Sequence, residues 1–176
     1  MKASYYELQG PRTLRLEEEE LGECLQSGEL LARTEFSAIS TGTEIAAWQG
    51  KPPLRPSRAY PRLVGYSNVA EVIAIGDETD GLRVGDHILT HQSHRTAFRC
   101  GTGDVLLSIR GVSESSRKAL ATAYLYHLGY AALLRAAYTP GHAVAIVGFG
   151  LLGLATAQLV HAFGGSPIVF TARPDE

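Results

Sequence analysis

Cysteine is scarce: Cys24 and Cys100 are the only two in 176 residues. That excludes a disulfide framework and a four-thiolate zinc lobe, and it suits a reducing, cytoplasmic setting. Charge of one sign is also missing. Sixteen basic residues stand against eighteen acidic ones, a formal net charge of -2, so bulk electrostatics offers nothing to a nucleic acid or an anionic membrane. No apolar run approaches the roughly 20 residues of a membrane span, and Met1 to Glu7 carries no secretory apolar core. Internal repeats and low-complexity segments are absent, while 45% hydrophobic residues allow a core of ordinary size.

What is present is concentrated near the end. Ala143 to Val147 is a small, apolar run that reads as a buried parallel strand. Gly148-Phe149-Gly150-Leu151-Leu152-Gly153 follows, and then an Ala/Leu-rich stretch of helical length. This is the dinucleotide-binding fingerprint in its proper setting. Gly148 permits the turn, Gly150 lets backbone approach a pyrophosphate, and Gly153 lets the helix pack closely on its strand. The helix N-terminus at Leu151 and Leu152 offers unpaired N–H groups to phosphate. A glycine-bearing turn within another α/β unit is the competing reading; the strand before and the helix after favour nucleotide. The helix is expected over 152–163, Gly164-Gly165 stops it, and a second strand over 167–171 completes a strand–helix–strand unit.

The first half has a different rhythm. Strands are expected over 13–17, 29–39, 64–75, 87–91, 96–100 and 105–109, with turns at Gly76-Asp77 and Gly85-Asp86, which reads as a small barrel-like β domain. The acidic run Glu17 to Glu20 reads as a solvated strand end, since sequence neighbours on a strand point to opposite faces. Residues 50–61 hold four prolines and three basic residues, the composition of an exposed loop that borders a cleft. Ser113-Glu114-Ser115-Ser116 supplies helix-start chemistry, so one long helix or two in tandem should run to Thr139-Pro140-Gly141.

This order of parts resembles the medium-chain dehydrogenase/reductase superfamily. Ser37 to Glu44 resembles its first active-site segment, with Thr41-Gly42-Thr43-Glu44 where a Cys-Gly-Thr-Asp type turn is usual. Pro61 to Val72 resembles its Pro-x-x-x-Gly-His-Glu segment, Val84-Gly85-Asp86-His87-Ile88 its Val-Gly-Asp-x-Val, and Pro140-Gly141-His142-Ala143-Val144 its Pro-Gly-x-x-Val. The resemblance implies an α/β fold: a GroES-like β-barrel domain over 1–115, then over 116–176 a connecting helix and a partial Rossmann nucleotide-binding unit. Zinc-dependent members carry Cys and His-Glu where this chain has Thr41 and Tyr66-Ser67, hydroxyl groups that are poor zinc ligands. The subgroup resembled is therefore the zinc-independent one, with no metal site. His91 and His94, three apart on an expected strand, read as surface or packing residues.

The resemblance also implies roles. Thr43 matches the hydroxyl residue near the nicotinamide and is the first candidate for contact with a substrate oxygen. Tyr66 stands where a zinc ligand would lie, either donating to a developing oxyanion or merely filling space. Tyr124, Tyr126 and His127 fall on the helix that lines the family's cleft, although such residues at helical spacing usually pack. Members that prefer NAD place an acidic residue after the second strand; here Thr171 is uncharged and Arg173 offers a fork to a 2′-phosphate, which favours NADP(H) over NAD(H). The family's chains are nearly twice as long. An apolar strand pair open at both edges needs a cover, so a homodimer or strand exchange through residues 143–171 is expected. Two functions follow: an NADP(H)-dependent, zinc-independent oxidoreductase acting on a small carbonyl, quinone or enone, its site completed by a second subunit or a further segment, or a non-catalytic relative that binds nucleotide or ligand.

Overall fold

The computed structural model describes residues 1–51, 59–79 and 81–172, in two compact units, Met1–Ala121 and Thr122–Glu176.

In the first unit, β1 (Lys2–Gly10) and β2 (Thr13–Glu20) form an antiparallel hairpin. The short β4 (Arg62–Leu63) pairs with the other edge of β1, aligning Arg62 with Leu8 and Leu63 with Glu7. A second sheet holds β3 (Glu29–Ser37), β5 (Asn68–Ile75), β6 (His87–Thr90), β7 (Ala97–Gly101) and β8 (Val105–Ile109). Its order is β7-β3-β5-β6-β8, antiparallel throughout. An isolated bridge joins Tyr5 on β1 to Arg95, in the segment just before β7. Alternation along β3 divides its side chains between two cores. Leu30 and Ala32 enter a cluster with Val72, Ile88 and Phe98, while Leu31 joins Ala3, Leu21 and Ala97.

The expected strands are found with shifted ends. The acidic run lies on β2, where Glu18 pairs with Lys2 at 2.5 Å and Glu19 with Arg95 at 3.2 Å, a solvated edge as read from sequence. The stretch 64–75 is not one strand, because β4 ends at Leu63 and β5 begins only at Asn68. Strand β1 and the helix α1 (Thr41–Gln49) were not expected. The proline-rich loop falls largely on residues 52–58, outside the described residues.

The segment after β8 forms α2 (Glu114–Leu120), capped by Ser113, whose hydroxyl accepts the Ser116 N–H at 3.2 Å. Arg117 on this helix donates to both oxygens of Glu35 on β3, at 2.6 and 2.7 Å, and His87 approaches the same carboxylate at 3.2 Å. The Arg117 hydrogen bonds hold Glu35 below its ordinary value of 4.5, outweighing the desolvation that pushes it up. A carboxyl depressed in the folded state contributes stability above its unfolded value, and that contribution is lost as pH falls through the folded value. Lowering the pH from about 5 to about 3 is therefore expected to lower the thermal midpoint less steeply in Glu35→Gln than in the parent, with the variant already weaker at neutrality. Parallel acid limbs in melts of the two proteins would rule this out.

The second unit contains α3 (Ala123–Arg135), β9 (Ala143–Val147), α4 (Leu151–Ala162) and β10 (Ser166–Phe170). Two tandem helices, α2 and α3, thus occupy the stretch expected to hold one or two. Strands β9 and β10 pair in parallel, Ala143 opposite Ser166 through Val147 opposite Phe170. Helix α4 buries Ala155, Ala157 and Val160, and the Tyr126 hydroxyl on α3 donates to Gln158 on α4. Among the described residues no helix is long and apolar enough to cross a membrane.

Candidate functional site

The glycine turn is built as its residue types require. Gly148 has φ 92°, a left-handed conformation that glycine enters without cost, and its N–H donates to the Phe170 carbonyl at 2.8 Å. The turn is thereby tied to the end of the neighbouring strand. A Cβ at Gly153 would overlap the Gly148 carbonyl oxygen, so only glycine lets α4 start this close to the turn. At Gly150 the opposite holds: a Cβ there would meet nothing within 4 Å. The residue is the N-cap of α4, and no side chain caps the first turn at Leu151 and Leu152. Open space in front of uncapped helix N–H groups is what a pyrophosphate requires. Thr171 follows β10 directly and is exposed, and Arg173 lies outside the described residues.

In the first unit Thr43 and Tyr66, far apart in sequence, line one pocket. Leu8, Glu44, Ala47, Arg62 and the segment 63–65 complete its wall, around a cavity of about 50 Å³. Thr43 is exposed on the first turn of α1, and Tyr66 is half-buried in the link between β4 and β5. Behind them runs a hydrogen-bonded chain that the sequence did not suggest. Ser37 Oγ lies 2.5 Å from His94 Nδ1, His94 Nε2 lies 3.0 Å from Glu44 Oε2, and Glu44 Oε1 accepts the Ser40 N–H at 2.7 Å. Both side chains of the His94–Glu44 pair are mostly buried, 14% and 12% exposed, so the ring is not merely a surface or packing residue. The strand argument that separated His91 from His94 fails because β6 ends at Thr90. His91 Nδ1 instead meets the Tyr66 carbonyl oxygen at 3.1 Å. Gly65, at φ 89°, passes so close to the His94 ring that a Cβ would lie 2.7 Å from it. The signal available in sequence was Glu44 itself, the acidic residue following Thr43.

Tyr124 stacks obliquely near His127, ring centroids 6.0 Å apart, so with Tyr126 bonded to Gln158 all three helical residues have partners inside the second unit. Thr41, Tyr66 and Ser67 stand at the positions where the zinc-dependent members of the resembled family carry ligands. Ser67 is buried and its Oγ donates to the Ala121 carbonyl at 2.6 Å, leaving Thr41 and Tyr66 as a donor set without thiolate, imidazole or carboxylate. Among the described residues no group of three or more His, Cys, Asp or Glu is placed to hold a metal ion.

The chain thus consists of a β domain bearing this pocket, followed by a strand–glycine turn–helix–strand unit. Residues 26–132 match the alcohol dehydrogenase GroES-like domain, and the chain belongs to the alcohol dehydrogenase-like medium-chain dehydrogenase/reductase superfamily. It is 36% identical over 164 residues to the 2-desacetyl-2-hydroxyethyl bacteriochlorophyllide A dehydrogenase of Rhodobacter capsulatus, covering 84% of this chain and 49% of that one. To the dehydrogenase of the same name from Cereibacter sphaeroides it is 32% identical, covering 96% and 56%. The chain therefore spans about half the length of the curated relatives it matches. Galactitol-1-phosphate dehydrogenase from Escherichia coli shares the fold, with a TM-score of 0.81 at 16% identity over 98% of this chain and 56% of that one.

Proposed function

We propose that the protein is an NADP(H)-dependent, zinc-independent oxidoreductase acting on a small carbonyl, quinone or enone. The observation that carries the reading is the turn between β9 and α4, closed at Gly153 to any side chain and open at Gly150. Its dehydrogenase relatives support a nicotinamide cofactor. Preference for the 2′-phosphate rests on the sequence, with uncharged Thr171 and the cationic Arg173 after β10.

When bound, the nicotinamide supplies or accepts the hydride. This chain's own part is to hold the substrate and polarise its oxygen. The exposed hydroxyl of Thr43 donates a hydrogen bond to the carbonyl oxygen, and the Tyr66 phenol, on the same pocket wall, provides a second donor as negative charge develops there. The Ser37–His94–Glu44 chain fixes the start of α1, and with it the position of Thr43. Hydroxyl donors at the positions of zinc ligands support chemistry that runs without a metal.

A second copy of the chain is the proposed partner, through residues 143–171. Val147, Ile168 and Phe170 are 88%, 50% and 56% exposed on the β9–β10 pair, apolar surface on a sheet whose edges are unpaired among the described residues. Light scattering on a dilution series should give twice the chain mass; a monomer at every concentration would refute the pairing.

The function is tested by thermal unfolding with NADPH and, in parallel, NADH. Ligand at about 100 times its dissociation constant stabilises the folded state by about 2.7 kcal/mol. A shift with NADPH that NADH fails to produce, followed by consumption of NADPH with quinones, aldehydes or enones, is the expected result. Binding without turnover across such a panel would identify a nucleotide-binding relative, and no shift with either cofactor would sink both readings.

A further inference from the structure

We propose that Arg62 makes the pocket beside Thr43 and Tyr66 a receptor for an oxyanion, so that the molecule this site takes carries a carboxylate or phosphate group. Calling that molecule the substrate rests on the oxidoreductase reading; the anion site itself does not.

The case begins with an unmatched charge. Arg62 sits on β4, its backbone held opposite Leu8 by the ladder to β1, and its side chain forms part of the pocket wall. Its Nη1 is buried and has no hydrogen-bond acceptor among the described residues. Elsewhere in the unit, Arg33, Arg95, Arg99, Arg110 and Arg117 each end on a carboxylate. Among the described residues Arg12, Arg15 and Arg83 also have no ion pair, but Arg62 is the arginine that combines a buried, unsatisfied Nη1 with a place on the wall of the cavity. A buried donor without an acceptor costs free energy, which an acceptor arriving in the pocket restores.

The one carboxylate on the same wall does not meet that need. Glu44 spends Oε1 on the Ser40 N–H and Oε2 on His94, so both its oxygens are turned to partners other than Arg62. Its charge is further offset by its place in the first turn of α1, where the helix end is positive. The Ser40 side chain makes no capping bond to that turn. Of the residues that line the pocket, Arg62, Thr43 and Tyr66 carry side-chain donors for an entering anion. The guanidinium fork is planar and matches a carboxylate or a phosphate through two parallel hydrogen bonds. At about 50 Å³ the cavity admits a head group of this kind, with the rest of the molecule lying outside it.

The test is an NMR titration of the full chain, without nucleotide, using sodium benzoate, phenyl phosphate and the uncharged benzamide as probes. Benzoate or phenyl phosphate is expected to move the Arg62 Nε–H and Thr43 amide signals saturably, and benzamide to leave them in place. Whichever anion binds more tightly identifies the head group. Arg62→Met keeps the apolar stem and removes the fork; its affinity should fall at least tenfold while the remaining amide map is unchanged. Should that variant fail to fold, Arg62→Lys keeps the charge without the fork and is expected to lose part of the affinity. Equal shifts with benzamide, undiminished binding in a folded variant, or no saturable shift with either anion would each overturn the proposal. Because no nucleotide is added, a protein that binds benzoate but not NADPH refutes the oxidoreductase reading alone, and one that binds NADPH but neither anion refutes only the anion site.

Discussion

Gly153→Val is expected to abolish NADPH-dependent stabilisation and to destabilise the second unit, whereas Gly150→Ala should abolish only the former. The contrast follows from what a side chain meets at each position. At Gly153 the first added carbon collides with the Gly148 carbonyl oxygen, a backbone atom that cannot rotate aside, so α4 must move away from its strand. Overpacking of this kind costs about 1–3 kcal/mol, and the displaced helix no longer aims its N-terminus at the turn. At Gly150 a methyl group enters open space, and φ is -78°, a value any residue adopts. The fold is spared while the methyl occupies the position proposed for the pyrophosphate. Melts of both variants with and without NADPH check the pair. A ligand shift retained in Gly150→Ala would mean that phosphate does not lie against that residue, and one retained in Gly153→Val would remove the turn from cofactor binding altogether.

Phe98→Ala is expected to produce the largest loss of stability in the first unit. Phe98 on β7 is fully buried, in the cluster with Leu30, Val72 and Ile88. Its removal costs the transfer free energy of the ring together with that of the cavity left behind, about 3–5 kcal/mol. For a unit of this size the thermal midpoint should fall by about 10–20 °C. Trp48, the single tryptophan, lies in the same unit, so its fluorescence reports this transition directly. A fall of only a few degrees would show that the sheet closes over the vacancy or that Phe98 is not central to the core.

The two units differed in how far the sequence disclosed them. The strand–turn–helix–strand unit was legible to within a residue, because Pro140-Gly141, the glycine turn and Gly164-Gly165 punctuate it locally. The family resemblance of the chain as a whole is borne out by the match of residues 26–132 to the GroES-like domain and by the relatives. Strand β1 escaped because its burial is set by partners: only Ala3 and Leu8 are buried in nine residues, too few to display a period of two. Helix α1 escaped for a similar reason. It buries Ala47 alone, so no apolar stripe marks it. The partners of His94 lie 50 and 57 residues away, at Glu44 and Ser37, and no local pattern encodes such a meeting. Arg62 was equally silent, since an arginine shows its lack of a counter-charge only once its surroundings are in place.

The strand order β7-β3-β5-β6-β8 also has a consequence for the chain as it leaves the ribosome. Strand β3 is complete at Ser37, yet one of its neighbours, β5, spans Asn68–Ile75 and the other, β7, ends only at Gly101. For the time needed to synthesise some sixty further residues, several seconds at ribosomal rates of about 5–20 residues per second, β3 has at most one partner and its apolar residues lack their full cover. The hairpin of β1 and β2, by contrast, needs only its own two-residue turn and forms at once. Nascent chains of this protein thus pass through a window in which a half-built sheet invites chaperones or a neighbouring nascent chain, and the window closes with the emergence of Gly101 rather than with the completion of the nucleotide-binding unit.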